Sequence, residues 1–241
     1  MVRMIGLSGF AGSGKTAAAI YIESMFGYQR RHIAEPFRAM LAVLLRANGV
    51  PADMIGRYLT GDLKDGVIIP EIGCTSRHLQ ITMGNDWGRG CVHPDLWVNT
   101  LDAMTEDEDK VQNDSVRYPN EEALVHRRGG FTILIERPGT GPAAFKWGRF
   151  GRILHSWFGC MWGVHDSERV DRLNPDVRIV NDGTLQDLYD QLDEVMRVRV
   201  FGLPPAGNDN AGPDDLPEVE LPRPPFDPVF GLQMIALSGR Q

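Results

Sequence analysis

The sequence predicts an α/β protein whose parallel sheet of about five strands is covered by helices on both faces. Short apolar runs, which are typical of buried strands, alternate with stretches of helical pattern along most of the chain. The first run, residues 2–8, ends in a glycine-rich segment and is followed at once by a helical pattern over residues 15–26. Strand, glycine-rich loop and helix in this order open a parallel sheet with its crossover helix.

Four further strands and five further helices complete this pattern. The strands are predicted at residues 31–34, 110–114, 131–136 and 177–180. The signal at 110–114 is the weakest, because Gln112 and Asn113 are polar. The helices are predicted at residues 36–47, 76–84, 96–104 and 121–127, and from Thr184 onward. Asp187 follows Thr184 by three residues, so the two resemble a capping box at the start of the last helix.

Composition excludes several classes of function. The 241 residues are 42% hydrophobic, which is ample for a buried core. With 25 basic and 32 acidic side chains the formal charge is -7, which argues against a nucleic-acid partner or an anionic membrane surface. No stretch approaches the roughly 18 consecutive apolar residues of a membrane span. We therefore expect a cytoplasmic protein that must gather positive charge locally to bind any nucleotide.

The chain divides by composition near residue 200. Residues 1–200 carry the alternating strands and helices and are interpreted as one domain. Residues 201–241 are rich in proline and acidic side chains. Such a segment buries too little apolar surface to order itself, so a flexible tail is expected there.

A phosphate-binding loop is predicted between the first strand and the first helix, where the chain reads GFAGSGKT. In the pattern GxxxxGK[ST] the glycines let backbone N–H groups surround phosphate oxygens, and the next helix presents its positive end to them. We expect ATP or GTP as the ligand. Lys15 should neutralise the β- and γ-phosphates, and the Thr16 hydroxyl should be a Mg²⁺ ligand. The residues expected at the nucleotide are Gly9, Ala11, Gly12, Ser13, Gly14, Lys15 and Thr16.

Two arginines in the segment TSRHLQITMGNDWGRGCVHPDLW are candidates for an acceptor site. Arg77 and Arg89 could clamp a monophosphate, because the guanidinium fork matches its oxygens. Gln80, one helical turn after Arg77, and Trp87 could read or stack on a base. The other interpretation makes the tryptophans core aromatics and leaves the arginines on a solvated face.

A basic stretch without any acidic side chain covers residues 137–165. It is rich in glycine and aromatic residues and carries Arg137, Lys146, Arg149 and Arg152. We interpret it as a flexible lid that excludes water and brings Arg149 and Arg152 to the transferring phosphate. The competing interpretation is an aromatic packing patch or a homodimer interface, and both can hold.

The segment DSVRYPNE follows the weak strand signal at 110–114. In open parallel sheets the carboxyl ends of the strands face the ligand. Asp114 could therefore orient Mg²⁺ through water or accept a proton from the acceptor, with Arg117 close to the phosphates. An ordinary Asp–Arg turn pair is the alternative.

In combination these segments resemble the deoxynucleoside monophosphate kinases of tailed bacteriophages, a branch of the P-loop nucleotide kinases. The phosphate loop is common to many families, but the ordered set of segments is more specific. The matching segments, spread over most of residues 4–195, are GFAGSGKT, AEPFR, TSRHLQITMGNDWGR, DSVRYPNE, ERPG, HDSE and NDGTLQDL.

The resemblance implies transfer of the γ-phosphate of ATP, with Mg²⁺, to a deoxynucleoside 5′-monophosphate (dNMP), giving ADP and dNDP for DNA synthesis. It implies an acceptor-binding region at about residues 36–104 and a lid at about 137–165. Its motifs put Arg38, Arg77, Gln80 and Arg89 at the acceptor. They put Asp114 and Arg117 near the transferring phosphate, and Arg137, Asn181 and Gly183 around adenine. A phage-encoded enzyme would act in the host cytoplasm.

Two other functions stay open. The first is a P-loop kinase for another small acceptor, such as a nucleoside or phosphomevalonate. A nucleoside needs no phosphate clamp, so Arg77 and Arg89 count against it. The second is a non-catalytic ATP-binding module, for which a basic lid would be superfluous.

Overall fold

The computed structural model describes residues 2–142, 148–158, 161, 164 and 166–204. The chain divides into two compact units. The sheet unit comprises the described residues up to His32 and from Thr105 onward, and the helical unit comprises Ile33–Met104. Residues 205–241 lie outside the described residues, so the flexible tail stays a prediction.

Strands and helices alternate along the chain. The strands are β1 (Met4–Ser8), β2 (Gln29–Arg31), β3 (Ile68–Ile69), β4 (Cys74–Thr75), β5 (Val111–Asn113), β6 (Phe131–Glu136) and β7 (Val177–Val180). The α-helices are α1 (Lys15–Phe26), α2 (Glu35–Ala47), α3 (Ala52–Leu59), α4 (Ser76–Ile81), α5 (Leu96–Met104), α6 (Pro119–Arg127), α7 (Gly148–Phe158) and α8 (Leu185–Arg199). A π-helix, Thr82–Val92, continues α4, and two short 3₁₀ turns, Asp166–Glu168 and Val170–Arg172, precede β7. Among the described residues, no helix is long and apolar enough to cross a membrane.

The sheet unit is built on five parallel strands in the order β2-β5-β1-β6-β7, which confirms the predicted fold class. Helices cover both faces of the sheet. On one face, apolar side chains of α1 and α8 pack against Ile5, Leu7 and Ile133 in the main core cluster. On the other face Gly6 leaves room for α6, because a Cβ at Gly6 would lie 3.0 Å or less from side-chain atoms of Thr132, Val116 and Val125.

The polar strand β5 is confirmed, and its buried glutamine has a structural reason. Gln112 lies near the middle of the sheet, where its side chain is fully buried. Its Nε2 donates to the carbonyl of Ala19 in α1 at 2.8 Å and to the carbonyl of Tyr28 at 2.9 Å. The polar residue that weakened the strand signal therefore ties the strand to the helix above it.

Several predicted boundaries were wrong. The second strand is Gln29–Arg31 rather than residues 31–34, because the backbone register pairs Gln29 with Val111. The predicted helix over residues 76–84 is an α-helix only to Ile81 and then continues as the π-helix. Helix α3, the short antiparallel β3–β4 pair and helix α7 within the proposed lid have no counterpart in the predicted elements.

The helical unit is held by Trp97, which is buried as one interpretation of the sequence expected. Its indole Nε1 donates to the carbonyl of Gly84 in the π-helix at 2.8 Å, and its ring meets Phe37 edge-on at 5.0 Å. Trp87 differs, since 43% of it is exposed. The close approach of the π-helix to Trp97 depends on Gly88, where a Cβ would lie 2.3 Å from the indole nitrogen.

A stability comparison of two glycines in the π-helix tests this packing. Gly88→Ala forces a methyl group into the buried Trp97 ring, so the free energy of unfolding should fall by about 1–3 kcal/mol. Gly90→Ala is the matched control, because its Cβ would approach nothing closer than the Asn85 carbonyl oxygen at 3.4 Å. Urea unfolding followed by tryptophan fluorescence measures both. Equal stability of the two variants would contradict the packing.

Candidate nucleotide-binding site

The predicted phosphate loop joins β1 to α1, and its shape requires glycine at specific positions. Gly9, Gly12 and Gly14 have φ of 138°, 80° and 104°, conformations that other residues rarely adopt. At Gly9 a Cβ would also lie 2.3 Å from the carbonyl oxygen of Ile135 in β6. No side chain caps the start of α1. Its first N–H groups and the positive end of its dipole therefore suit an anion.

Lys15 opens α1 and folds its side chain back over the loop. Its Nζ donates to the carbonyls of Gly9 at 2.5 Å and Phe10 at 2.7 Å. Burial, followed by the nearby charge of Arg117, lowers the pKa of Lys15 to about 8, while Glu168 and Asp114 oppose this shift. The lysine therefore carries a positive charge at neutral pH but loses it at a lower pH than an exposed lysine.

Asp114 follows β5 at the carboxyl end of the sheet, as predicted. Its Oδ2 accepts a hydrogen bond from Nη2 of Arg30 at 2.9 Å. Its Oδ1 is buried without a hydrogen-bond partner, which leaves one acceptor oxygen for a ligand. Arg30 is absent from the predicted site residues because the second strand was predicted at residues 31–34, one residue beyond this arginine.

Arg117 is fixed at two points. Its backbone N–H donates to Oε2 of the buried Glu121 at 2.8 Å. Its Nη1 donates to Oε1 of Glu168 at 2.9 Å. Asp114 is thus paired with Arg30 and Arg117 with Glu168, both over long distances in the sequence. Glu168 lies in the segment HDSE, which was singled out in the sequence, but no role was assigned to it.

The oxygen donors near the loop fit Mg²⁺. Thr16 is exposed on the first turn of α1, and Asp114 has its unpartnered Oδ1. The Oγ of Ser13 in the loop is also buried without a partner. Among the described residues, no group of three or more His, Cys, Asp or Glu side chains is placed to hold a metal ion. A hydroxyl and a carboxylate that share the ion with phosphate oxygens are the set that Mg²⁺ favours.

The residues predicted around adenine have structural contacts of their own. Asn181 is buried, and its Nδ2 donates to the carbonyl of Ser13 at 2.8 Å. Gly183 leaves space for Asp187, since a Cβ at Gly183 would lie 2.4 Å from the carboxylate that caps α8. Arg137 is exposed directly after β6. Asn181 therefore supports the shape of the loop, and contact of these residues with adenine stays a prediction.

Part of the proposed lid is the helix α7. Arg149 and Arg152 lie on it with exposed side chains. His155, on the same helix, meets the ring of Phe10 in the phosphate loop edge-on at 6.5 Å. Helix α7 also exposes the apolar side chains Phe150, Ile153, Trp157 and Phe158. Lys146 lies outside the described residues, and both the lid function and the homodimer stay predictions.

In the helical unit the predicted acceptor residues fall into one connected pair and three separate residues. Nε of Arg38 donates to Oε1 of Gln80 at 3.0 Å. The Nε2 of Gln80 donates to the Leu59 carbonyl at 2.8 Å and to Oγ of Ser76 at 3.1 Å. The separate residues are Arg77, which pairs with Asp65 at 3.1 Å, Arg89, which donates to the Pro94 carbonyl at 3.0 Å, and the half-exposed Trp87.

The lowered pKa of Lys15 predicts a change in ATP affinity with pH. Below about pH 7 the lysine is an ammonium and the dissociation constant should be level; above its pKa of about 8 the charge is lost. The dissociation constant should then rise, by at most about tenfold per pH unit for one proton. Calorimetric titration with Mg-ATP measures it. In Lys15→Arg the guanidinium stays charged, so the same alkaline rise in that variant would assign it to another group.

Comparison with known proteins finds a sequence relative and several solved structures of low similarity. No family model matches the chain. A protein of Acanthamoeba polyphaga mimivirus named "Putative deoxynucleotide monophosphate kinase" is 26% identical over 205 residues, which cover 78% of this chain and 93% of the relative. The APS kinase CysC of Mycobacterium tuberculosis, solved in complex with AMPPNP and APS, is 14% identical with a TM-score of 0.34, over 81% of this chain and 97% of that one. A sugar kinase from Janibacter sp. HTCC2649 is 15% identical with a TM-score of 0.33, over 83% and 95%.

Proposed function

We propose that the chain is an ATP-dependent nucleotide kinase that transfers the γ-phosphate of ATP to a dNMP and releases ADP and dNDP. The observation that carries this proposal is the phosphate loop itself. Lys15 lies over a loop of three left-handed glycines, at the uncapped start of α1. Such a loop binds the phosphates of a nucleoside triphosphate.

The charges around the loop support phosphoryl transfer. Lys15, Arg30 and Arg117 bring three cations to this part of an acidic chain, against the carboxylates of Asp114 and Glu168. Catalysis of this reaction consists mostly of positioning and of neutralising negative charge. Thr16 and Asp114, the latter through water, would hold Mg²⁺, which neutralises the β- and γ-phosphates when it is bound.

We assign the acceptor to the helical unit, at Arg38, Arg77 and Arg89. The surface partner of Arg77, Asp65, does not prevent phosphate binding. The Arg77–Asp65 pair is largely exposed and such pairs contribute little stability, so exchange for a phosphate would cost little. The name of the mimivirus relative supports a deoxynucleotide as the acceptor. Trp87 could stack on its base, because the indole is half-exposed.

The lid arginines would complete the site. Arg149 and Arg152 are exposed on α7, and the same helix contacts the phosphate loop through His155 and Phe10. In this position their charges could reach the transferring phosphate and help exclude water.

An ADP-release assay tests the proposed function. ADP should be released from ATP and Mg²⁺ only when a dNMP is added, in a panel of dNMPs with ribonucleotides and no acceptor as controls. Lys15→Ala should abolish turnover, because it removes the charge over the loop, while its circular-dichroism spectrum stays that of the wild type. ADP release that does not depend on any acceptor would reject the kinase.

The acceptor clamp is tested separately by Arg89→Ala. Loss of a charge-assisted contact to the acceptor phosphate costs about 1.5–3 kcal/mol, so the KM for dNMP should rise by roughly tenfold or more. The KM for ATP should change little. Arg57→Ala, at an exposed arginine of the same unit that pairs with Asp62, is the matched control. An unchanged dNMP KM in Arg89→Ala would reject the clamp.

A further inference from the structure

The turn between β7 and α8 brings one buried side-chain amide to the phosphate loop. Asn181 directly follows β7, and only 5% of this residue is exposed. Its backbone N–H donates to the carbonyl of Glu136 at 2.7 Å, which continues the pairing of β6 with β7 by one residue. The sheet therefore holds the backbone of Asn181 in place, and the side chain extends from that fixed position.

The side chain of Asn181 contacts the phosphate loop at two neighbouring residues. Its Nδ2 donates to the carbonyl of Ser13 at 2.8 Å, across 168 residues of sequence. The same nitrogen lies against Gly14, where a Cβ would be only 2.5 Å away. Because a carbonyl only accepts hydrogen bonds, the amide must present its NH₂ group to the loop. The donor of this buried side chain is thus used on the loop backbone.

This hydrogen bond determines the direction of one peptide group in the loop. The carbonyl of Ser13 and the N–H of Gly14 belong to the same peptide group, and none of the described peptide bonds is cis. In a trans peptide the C=O and the N–H point in opposite directions. Since the Ser13 carbonyl points to Asn181, the Gly14 N–H points away from it.

The N–H of Gly14 belongs to the part of the loop that suits an anion. Gly14 directly precedes α1, and no side chain caps this helix start. The first N–H groups of a helix have no acceptor within the helix, and the positive end of the helix dipole lies at the same place. An N–H that is turned to the bound phosphates adds to this set of donors.

We propose that Asn181 is a positioning residue for phosphate binding: by holding the Ser13 carbonyl, it turns the N–H of Gly14 to the phosphates of the nucleotide. The proposal rests on the proposed function for the identity of the bound group. Asn181 acts through Gly14 and touches no phosphate itself. This role differs from the contact with adenine that the resemblance implies, because the amide nitrogen is already bonded to the loop.

Two other roles of Asn181 lead to different expectations. A residue that contacts adenine affects the binding of ATP but not that of a ligand without a base. A residue that only stabilises the fold lowers the free energy of unfolding and leaves the affinities of the folded chain unchanged. Inorganic tripolyphosphate carries the phosphate chain without base or sugar, so its binding separates the three roles.

Calorimetric titration of Asn181→Ala with tripolyphosphate and with ATP, in one Mg²⁺ buffer, tests the proposal. Both dissociation constants should rise by about two- to tenfold, which corresponds to the loss of one hydrogen bond. Asn181→Leu removes the amide but keeps the branched shape, and it is used if the alanine variant lacks the circular-dichroism spectrum of the wild type.

Asn48→Ala is the matched control for these titrations. Nδ2 of Asn48 also donates to a backbone carbonyl, that of Leu44 at 2.9 Å, but it does so in the helical unit. This variant should leave both dissociation constants unchanged. A rise for ATP alone in Asn181→Ala would assign Asn181 to the base and overturn the proposal. Unchanged constants in Asn181→Ala, or an equal rise in the control, would overturn it as well.

The amide proton of Gly14 provides a second measurement, which a loss of stability does not reproduce. In the wild type, saturating tripolyphosphate should move the Gly14 amide resonance downfield, because its N–H then donates to a charged oxygen. In Asn181→Ala the movement at saturation should be smaller. Equal movements in the two proteins would reject the positioning role.

Neither measurement needs an acceptor, so the two proposals can fail separately. A wild-type chain that binds tripolyphosphate but phosphorylates no dNMP would reject the proposed function, while the titrations would still decide the role of Asn181. A wild-type chain that does not bind tripolyphosphate would reject the role of Asn181 together with the phosphate site.

Discussion

Lys15 keeps its positive charge at neutral pH although burial of its side chain favours the uncharged amine. The lysine has to lie inside the phosphate loop to act on a nucleotide, and this position lowers its pKa to about 8. Two carbonyls of the loop accept its hydrogen bonds, and the carboxylates of Asp114 and Glu168 favour its charged form. These two carbonyls and two carboxylates hold the ammonium in place and oppose the effects of burial and of the Arg117 charge.

The parallel sheet makes that arrangement accessible to the chain. β1, β2 and β5 are neighbours, and the residues at or after their carboxyl ends include the phosphate loop, Arg30 and Asp114. Two residues inside the sheet make this packing possible. Gly6 has no side chain, so α6 can approach the sheet, and the buried Gln112 donates a hydrogen bond that ties β5 to α1. An overall acidic protein thereby concentrates three cations, Lys15, Arg30 and Arg117, at one edge.

Much of the fold and the loop could be predicted because their signals are local. The glycines, Lys15 and Thr16 lie within one continuous segment, residues 9–16. Thr184 and Asp187 form a capping box three residues apart, as expected. The pairs at the site are not local. Arg30 and Asp114 are 84 residues apart in the sequence, and Arg117 and Glu168 are 51 residues apart. No short sequence pattern therefore predicts either contact. The π-helix is also stabilised by a contact outside its own segment, because the Trp97 indole in the following helix donates a hydrogen bond to the Gly84 carbonyl.

In the proposed function, the γ-phosphate of ATP bound at this loop passes to another nucleotide and not to water. The most direct measurement uses ATP labelled in its γ-phosphate, a dNMP and Mg²⁺, with the products separated by chromatography. We expect the label to be recovered in dNDP, in step with the formation of ADP. Recovery of the label as inorganic phosphate, in the presence of every dNMP, would contradict it.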